Sequence, residues 1–370
     1  MRIGIPKEVK NNEFRVAITP IGVRELTAAG HKVVIETQAG TGSNISDAEY
    51  LAAGAEILPT AAQVWDSSEL VLKVKEPIES EYGFLRKDLV LFTYLHLAAS
   101  KSCTEALISG GTTAIAYETV SGETGGLPLL APMSEVAGRL ATQVGAETLM
   151  APRGGRGVLL GGVTGVESGK VVVLGGGVAG YNAAKMAVGL QAQVQIFDKS
   201  INRLRELDQL FDGKVQAQFA NSLAIERAVL DADLVIGAVL IPGSKAPKLV
   251  SNEVVSRMKT GSVLVDISID QGGCFEDSHP TTHEEPTYQV HNSIFYCVAN
   301  MPGAVPNTST YALTNATLPY VMKIANMGWK AALKSDPNFA LGLNTHQGEL
   351  YYQAVGDAFN IPTVEFNSLS

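Results

Sequence analysis

Short apolar runs rich in β-branched residues recur along the chain, and the stretches between them have helical spacing. In the first third the runs are RIGI (2–5), KVVIE (32–36), LVLKV (70–74), LVLFTYLH (89–96) and TAIAYE (113–118). One intervening segment, PIGVRELTAAG (20–30), places Pro20 and Gly30 as a helix start and stop. A long helix is predicted over roughly 132–150, and a glycine-rich passage, 152–169, leads to a second series of strands. These are expected at 171–174, 193–197, 234–237, 262–266 and 295–298. After NMPGAVPNTST (300–310) the pattern turns helical, with little further strand. Strands alternating with helices predict βαβ units and parallel sheets. The expected architecture is α/β with two doubly wound parallel-sheet domains. The helical tail is too small to fold alone, so residues 306–370 are expected to return to a first lobe of 1–130. The second lobe, 131–305, is then an insertion.

A chain of 370 residues is long for one domain. The net charge of −9, with acidic residues scattered, argues against nucleic-acid or anionic-membrane partners, which need basic clusters. Cys103, Cys274 and Cys297 form no Cys-x-x-Cys pair, so neither a disulfide framework nor a zinc knuckle is expected, and no metal. The start, MRIGIPKEVK, has no apolar signal-like core. The most apolar window, 171–190, is interrupted by glycines, Asn182 and Lys185, and reads as strand, turn and helix rather than a membrane span. A cytoplasmic protein is expected.

That window carries the most informative chemistry. Gly175, Gly177 and Gly180 match G-x-G-x-x-G directly after the apolar strand 171–174. VAGYNAAKMAVGL continues with helical spacing, and AQVQIFD ends in Asp198. Gly175 permits a tight turn, Gly177 lets backbone approach a pyrophosphate, and Gly180 lets the helix pack on the sheet. The helix N-terminus offers unpaired N–H groups and the positive end of its dipole to the anion. Asp198 can accept hydrogen bonds from a ribose diol and would repel a 2′-phosphate, so a Rossmann site for NAD rather than NADP is predicted. The plainer alternative is a ligand-free glycine-rich turn with Asp198 at a solvated strand end.

A cofactor motif names no reaction. Reacting groups are sought at the carboxyl ends of strands, where open α/β sheets place ligands. If the strand LVLFTYLH runs through it, His96 shares a face with Val90, Phe92 and Tyr94, and it suits proton transfer. Lys75, on the same face as Lys73, could grip a carboxylate just before Glu76-Pro77 stops the strand. Asp270 follows SVLVDISI and precedes Gly272-Gly273, beside where a nicotinamide would lie. Arg15 could add a bidentate carboxylate contact. The plain readings are a structural histidine, solvated Lys75 and Arg15, and an Asx turn at Asp270.

Together these segments resemble one family. MRIGIPKEVKNNEFRVAITP, KVKEP (73–77), YLHLAA (94–99), PMSEVAGRLATQVGA (132–146) and GGVTGV (161–166) look like the alanine dehydrogenases. So do VDISIDQGGCFEDSHPTTHEEPTY (265–288) and NMPGAVPNTSTYALTNATLPY (300–320). The resemblance runs nearly end to end; the related proton-translocating transhydrogenases share the fold and the opening block. It implies NAD-dependent interconversion of L-alanine with pyruvate and ammonia in a cleft between lobes that closes on its ligands, and a homohexamer. It also implies roles. Arg15 and Lys75 would hold the substrate carboxylate, His96 would exchange protons with the substrate oxygen, and Asp270 would assist the water or ammonia step. Cofactor contacts would come from Ser134, Val178, Ala179, Asp198, Val239, Leu240, Ile267, Ser268, Ile269, Asp270, Val298, Ala299, Asn300 and Met301. Arg203 stands where a lysine is common, Ala220 where a serine is common, and His279 where a basic residue is usual; Arg203 and His279 join the expected cofactor contacts. A dehydrogenase for another small amino acid or 2-oxo acid, and a non-catalytic NAD-binding module, are the competing readings.

Overall fold

The computed structural model describes residues 1–123, 125–239 and 246–366. The chain forms two compact units, Met1–Met133 with Val305–Ser370, and Ser134–Ala304.

The first unit opens with six parallel strands: β1 (Arg2–Ile5), β2 (Lys32–Glu36), β3 (Glu56–Leu58), β4 (Leu70–Leu72), β5 (Val90–Thr93) and β6 (Thr113–Ala116). They lie side by side in the order β3-β2-β1-β4-β5-β6. β4, β5 and β6 are buried throughout, as strands covered on both faces must be, which explains their unbroken apolar runs. Three strands stop earlier than their apolar patterns: β4 at Leu72, β5 at Thr93 and β6 at Ala116. The helix Pro20–Ala28 starts as expected, with Pro20 in its first turn and the Thr19 side chain accepting from the Gly22 N–H.

The second unit holds β7 (Lys170–Leu174), β8 (Gln193–Asp198), β9 (Val215–Phe219), β10 (Leu234–Gly237), β11 (Val263–Asp266), β12 (Thr287–Val290) and β13 (Ser293–Tyr296). Their order is β12-β13-β11-β10-β7-β8-β9. Central β7 pairs in register with both neighbours, Val173 opposite Ile196 and Ile236. The chain then returns to the first unit through the helix Pro306–Met327. Val16 N–H donates to Thr310 Oγ1 (3.1 Å), and Asn307 Nδ2 donates to the Ser43 carbonyl (2.7 Å). β14 (Leu343–His346) and β15 (Glu349–Leu350) complete the first sheet beyond β6.

Both sheets are mostly parallel and doubly wound, but neither is purely parallel. β14 runs antiparallel to β6 and to β15, and β12 antiparallel to β13. The β12–β13 hairpin turns at His291, whose φ is +51°. The sequence pattern misses these strands and β3 and β9: the edge strands β9, VQAQF, and β12, TYQV, have exposed positions and lack a continuous apolar run, and β14, LNTH, is mostly buried but polar. Both sheets also reverse strand order at one place, between β1 and β4 and between β7 and β10. Open α/β sheets bind ligands beyond the carboxyl ends of the strands at such a reversal.

Candidate active site

In the second unit, β7 delivers the glycine turn to that reversal. Gly175 sits at φ +101°, and a Cβ there would lie 2.6 Å from the Ala238 carbonyl, just past the end of β10 beyond the switch. A Cβ on Gly180 would lie 1.8 Å from the Gly175 carbonyl. The protein's own packing therefore demands both. Gly177 differs: its φ is −66°, open to any residue, and a Cβ there would meet nothing within 4 Å. Absence of a side chain at Gly177 serves no packing need, but it leaves a cradle at the N-terminus of the helix Val178–Gly189. That end has no side-chain cap. An open cradle facing helix N–H groups fits a pyrophosphate.

Asp198, at the end of β8, is tied to this turn. Its Oδ2 accepts from Gly176 N–H (2.8 Å) and its Oδ1 from Ser200 N–H (2.7 Å). A carboxylate has about four acceptor sites, so capacity for a ribose diol remains. Arg203 Nε donates to the Gly176 carbonyl (2.6 Å), and its Nη1 to Glu206 (2.7 Å). The Gly176 peptide is thus held at its N–H by Asp198 and at its oxygen by Arg203. Ala220 N–H donates to the Asp198 carbonyl (2.9 Å), a main-chain contact that needs no serine. The helix Ala131–Thr148 approaches closely: a Cβ on Gly138 would lie 2.1 Å from the Ala179 carbonyl, and Arg139 Nε donates to Asn182 (2.9 Å). Ser134 lies one turn before Gly138 on the same face.

Beyond β11, the turn-forming carboxylate is Asp266, not Asp270. Asp266 is fully buried and accepts from Ser268 N–H (3.0 Å), Cys274 N–H (2.8 Å) and Ser278 Oγ (2.5 Å). Burial pushes its carboxyl above the usual range, while these donors pull the other way. Around it the chain makes a single 3-10 helix, Ile267–Gln271, which leaves Asp270 exposed at the end of the loop. Ser268 Oγ donates to the Val239 carbonyl (2.7 Å), joining two expected cofactor segments. Leu240 lies outside the described residues. Val298 bridges Thr281, and Asn300 takes φ +58° just before Met301 opens a 3-10 turn. His279 stacks on Tyr288 at 3.7 Å. No hydrogen bond or ring contact joins it to Asp198 or Arg203 among the described residues.

The first unit gathers the other candidates. Arg15 is almost wholly buried and forks onto Glu13, Nε to Oε1 at 2.6 Å and Nη2 to Oε2 at 2.5 Å, with Nη1 on Met133 Sδ at 3.1 Å. Burial opposes charge on Glu13, but Arg15's hydrogen bonds and charge outweigh it and hold the carboxyl below the usual range, with Lys75 adding to the effect. Burial likewise opposes the Arg15 charge, and Glu13 more than offsets it. Lys75 is half-buried, and its carbonyl accepts from Thr93 Oγ1 (3.1 Å). Lys73 is not its partner in a site: it is fully buried between Glu8 (3.1 Å) and Glu81 (2.8 Å).

His96 departs from the expected pleat. β5 ends at Thr93, so His96 does not share a strand face with Val90 and Phe92; it sits in a left-handed turn at φ +47°. Its ring stacks on Tyr94 (5.8 Å, 11° between planes), whose hydroxyl donates to the Leu129 carbonyl (2.6 Å). Tyr94 also feels the Arg15 charge. Within this unit Arg15 is forked onto Glu13 and Tyr94 stacks on His96, while the charge of Lys75 acts on Glu13 and that of Arg15 on Tyr94.

Comparison with known proteins decides the family. Residues 4–137 match the alanine dehydrogenase/PNT N-terminal domain, and residues 141–353 the alanine dehydrogenase/PNT C-terminal domain. The chain belongs to this family. It is 63% identical to the alanine dehydrogenase of Mycolicibacterium smegmatis over 98% of each chain, and 56% identical to that of Halomonas elongata over the full length of both. A solved L-alanine dehydrogenase aligns with a TM-score of 0.94 at 56% identity, covering 97% of this chain and 99% of that one. A transhydrogenase from Sinorhizobium meliloti aligns at 0.82 with 26% identity, covering 96% and 100%. In this member of the alanine dehydrogenase/PNT family, no helix among the described residues is long and apolar enough to cross a membrane.

For this alanine dehydrogenase/PNT chain, sequence reasoning missed the acidic residues that hold the named ones. Glu13 pairs with Arg15, Glu118 accepts from the His96 main chain, and Asp266 shapes the Asp270 loop. Glu118 was findable, since it follows the carboxyl end of β6. Glu13 was not, because a glutamate two positions before an arginine reads as solvated surface.

Proposed function

We propose that this chain is an NAD-dependent L-alanine dehydrogenase, interconverting L-alanine with pyruvate and ammonia. The observation that carries the reading is its 63% identity to an alanine dehydrogenase over nearly the whole of both chains. When bound, NAD supplies the hydride acceptor for alanine oxidation and, as NADH, the donor for the reverse reaction. The glycine turn Gly175–Gly180 would hold the pyrophosphate and Asp198 the ribose. Arg203 would brace the turn, and Ser134, Val239, Leu240, Ile267–Asp270, His279 and Val298–Met301 would line the rest. Arg15 and Lys75 are cations whose charge acts on Glu13, and both would attract a substrate carboxylate. Arg15, whose fork Glu13 fixes, would orient that carboxylate rather than merely attract it. His96, about 45% exposed, would give a proton to the substrate oxygen or take one, and exchange it with solvent. Asp270, exposed beyond β11, would handle the proton of the incoming water or ammonia.

The same reading makes the protein a cytoplasmic homohexamer that acts in alanine catabolism. Initial rates at the NADH absorbance band, with pyruvate and ammonium supplied together and singly and NADPH in parallel, test the activity. NADH oxidation should require both substrates and be slow with NADPH. Oxidation with pyruvate alone would point instead to a 2-hydroxy-acid dehydrogenase.

A further inference from the structure

We propose that Glu118 is the positioning residue for His96, holding its strained main chain and setting which ring nitrogen exchanges the proton. The proposal rests on the reading of His96 as the proton-exchanging group. β5 ends at Thr93, and the chain turns through Tyr94, Leu95 and His96 into the short helix Leu97–Ala99. His96 takes φ +47°, a left-handed conformation that is uncommon for residues other than glycine and costs backbone energy. Here the N–H groups of Leu95 and His96 both donate to Glu118, Leu95 at 3.2 Å to each oxygen and His96 at 2.6 Å to Oε1. Glu118 reaches them from the turn Tyr117–Thr119, just beyond β6, which pairs with β5 up to Thr93 opposite Ala116.

Two constraints then fix the imidazole. The Tyr94 ring lies along its face, and Nδ1 faces Glu118 Oε1 at 3.9 Å, too far for a hydrogen bond but well placed for charge to orient the ring. Nε2, on the other side of the ring, is left as the nitrogen that meets substrate. Glu118 is thus not a proton carrier. Its carboxylate is occupied with main-chain donors, and its side chain is only 14% exposed against 45% for His96.

In the amination assay, Glu118→Ala should lower kcat by roughly 10- to 100-fold, the size expected when a reacting group is misplaced. KM for pyruvate and NADH should change less than about threefold. Glu118→Gln, whose amide oxygen still accepts, should recover most of the loss. On a His96→Ala background, Glu118→Ala should do nothing more to kcat. An equal loss in both backgrounds, equal losses for Gln and Ala, or a KM effect with unchanged kcat would overturn the proposal. Amide hydrogen exchange across residues 90–100 decides the geometry independently of turnover. Glu118→Ala should exchange roughly 10-fold faster there or more, and unchanged protection would overturn the proposal. If the unsubstituted protein aminates nothing, the activity reading fails, while the exchange result still judges Glu118.

Discussion

Glu13 and Arg15 stand two positions apart, and both are almost wholly buried. The pair has a definite signature in acid. Glu13 titrates below its ordinary 4.5 in the folded chain, so the unfolded chain takes up its proton first as the pH falls. The stability this pair contributes is complete above about pH 4.5 and disappears as the pH drops through the lowered folded value. Glu13→Gln should therefore flatten the decline of the thermal midpoint between about pH 5 and 3. At neutral pH it should destabilise by about 3–5 kcal/mol, because it leaves a buried guanidinium without its anion. Thermal scans across that range, and a denaturant titration at neutral pH, read both effects. An unaltered acid limb would remove Glu13 from the account.

At the scale of elements, the glycine turn separates residues that folding requires from those that a ligand requires. Gly180→Ala would push a methyl into the Gly175 carbonyl, and should lower the unfolding midpoint by the several degrees that a few kcal/mol produce. Gly177→Ala meets nothing in the protein and keeps an allowed φ. It should leave the midpoint within about 2 °C of the parent while weakening NADH binding roughly tenfold or more, as followed by NADH fluorescence. Parent-like affinity in Gly177→Ala would mean that the pyrophosphate does not lie there. The pattern of glycines was legible in the sequence, since strand, turn, helix and Asp198 followed in order. Where β5 ended was not. LVLFTYLH is apolar past Thr93, yet in the structure the Leu95 and His96 N–H groups bond Glu118 instead of a neighbouring strand. Asp266 and Asp270 show the same limit. Both are aspartates after one strand, and burial under Cys274 and Ser278 makes the first a structural hub, leaving the second exposed.

At the scale of the molecule, both units repeat one strand order, three strands to one side of a reversal and three to the other, with antiparallel strands added at an edge. Only the second carries the glycine turn there. In the first, the ends of β1 and β4 lead to Glu8 and Lys73, which with Glu81 form a buried ion cluster. The second unit has its own sheet and core, and is contiguous in sequence. A fragment of residues 131–304 should fold cooperatively and bind NADH, yet catalyse nothing, because Arg15, Lys75 and His96 are outside it. Circular dichroism and NADH titration would check this, and an unfolded fragment would show that the unit depends on the rest of the chain.

The sequence by itself determined the α/β class, and it pointed to the glycine turn Gly175–Gly180 and to Arg15, Lys75, His96 and Asp270 as candidates for a site. These rest on apolar runs, glycine spacing and family blocks, each read over a short stretch of neighbouring residues. Only the tertiary structure decided which acidic residues serve them. Glu13 becomes the fork of Arg15, Glu118 the clamp of His96, Asp266 the hub behind Asp270, and Lys73 a buried structural cation rather than a partner of Lys75. The physical reason is that a charged side chain's role follows from its desolvation and from donors distant in the chain. Residues 96 and 118, or 8 and 73, meet only once β-strands far apart in sequence lie side by side.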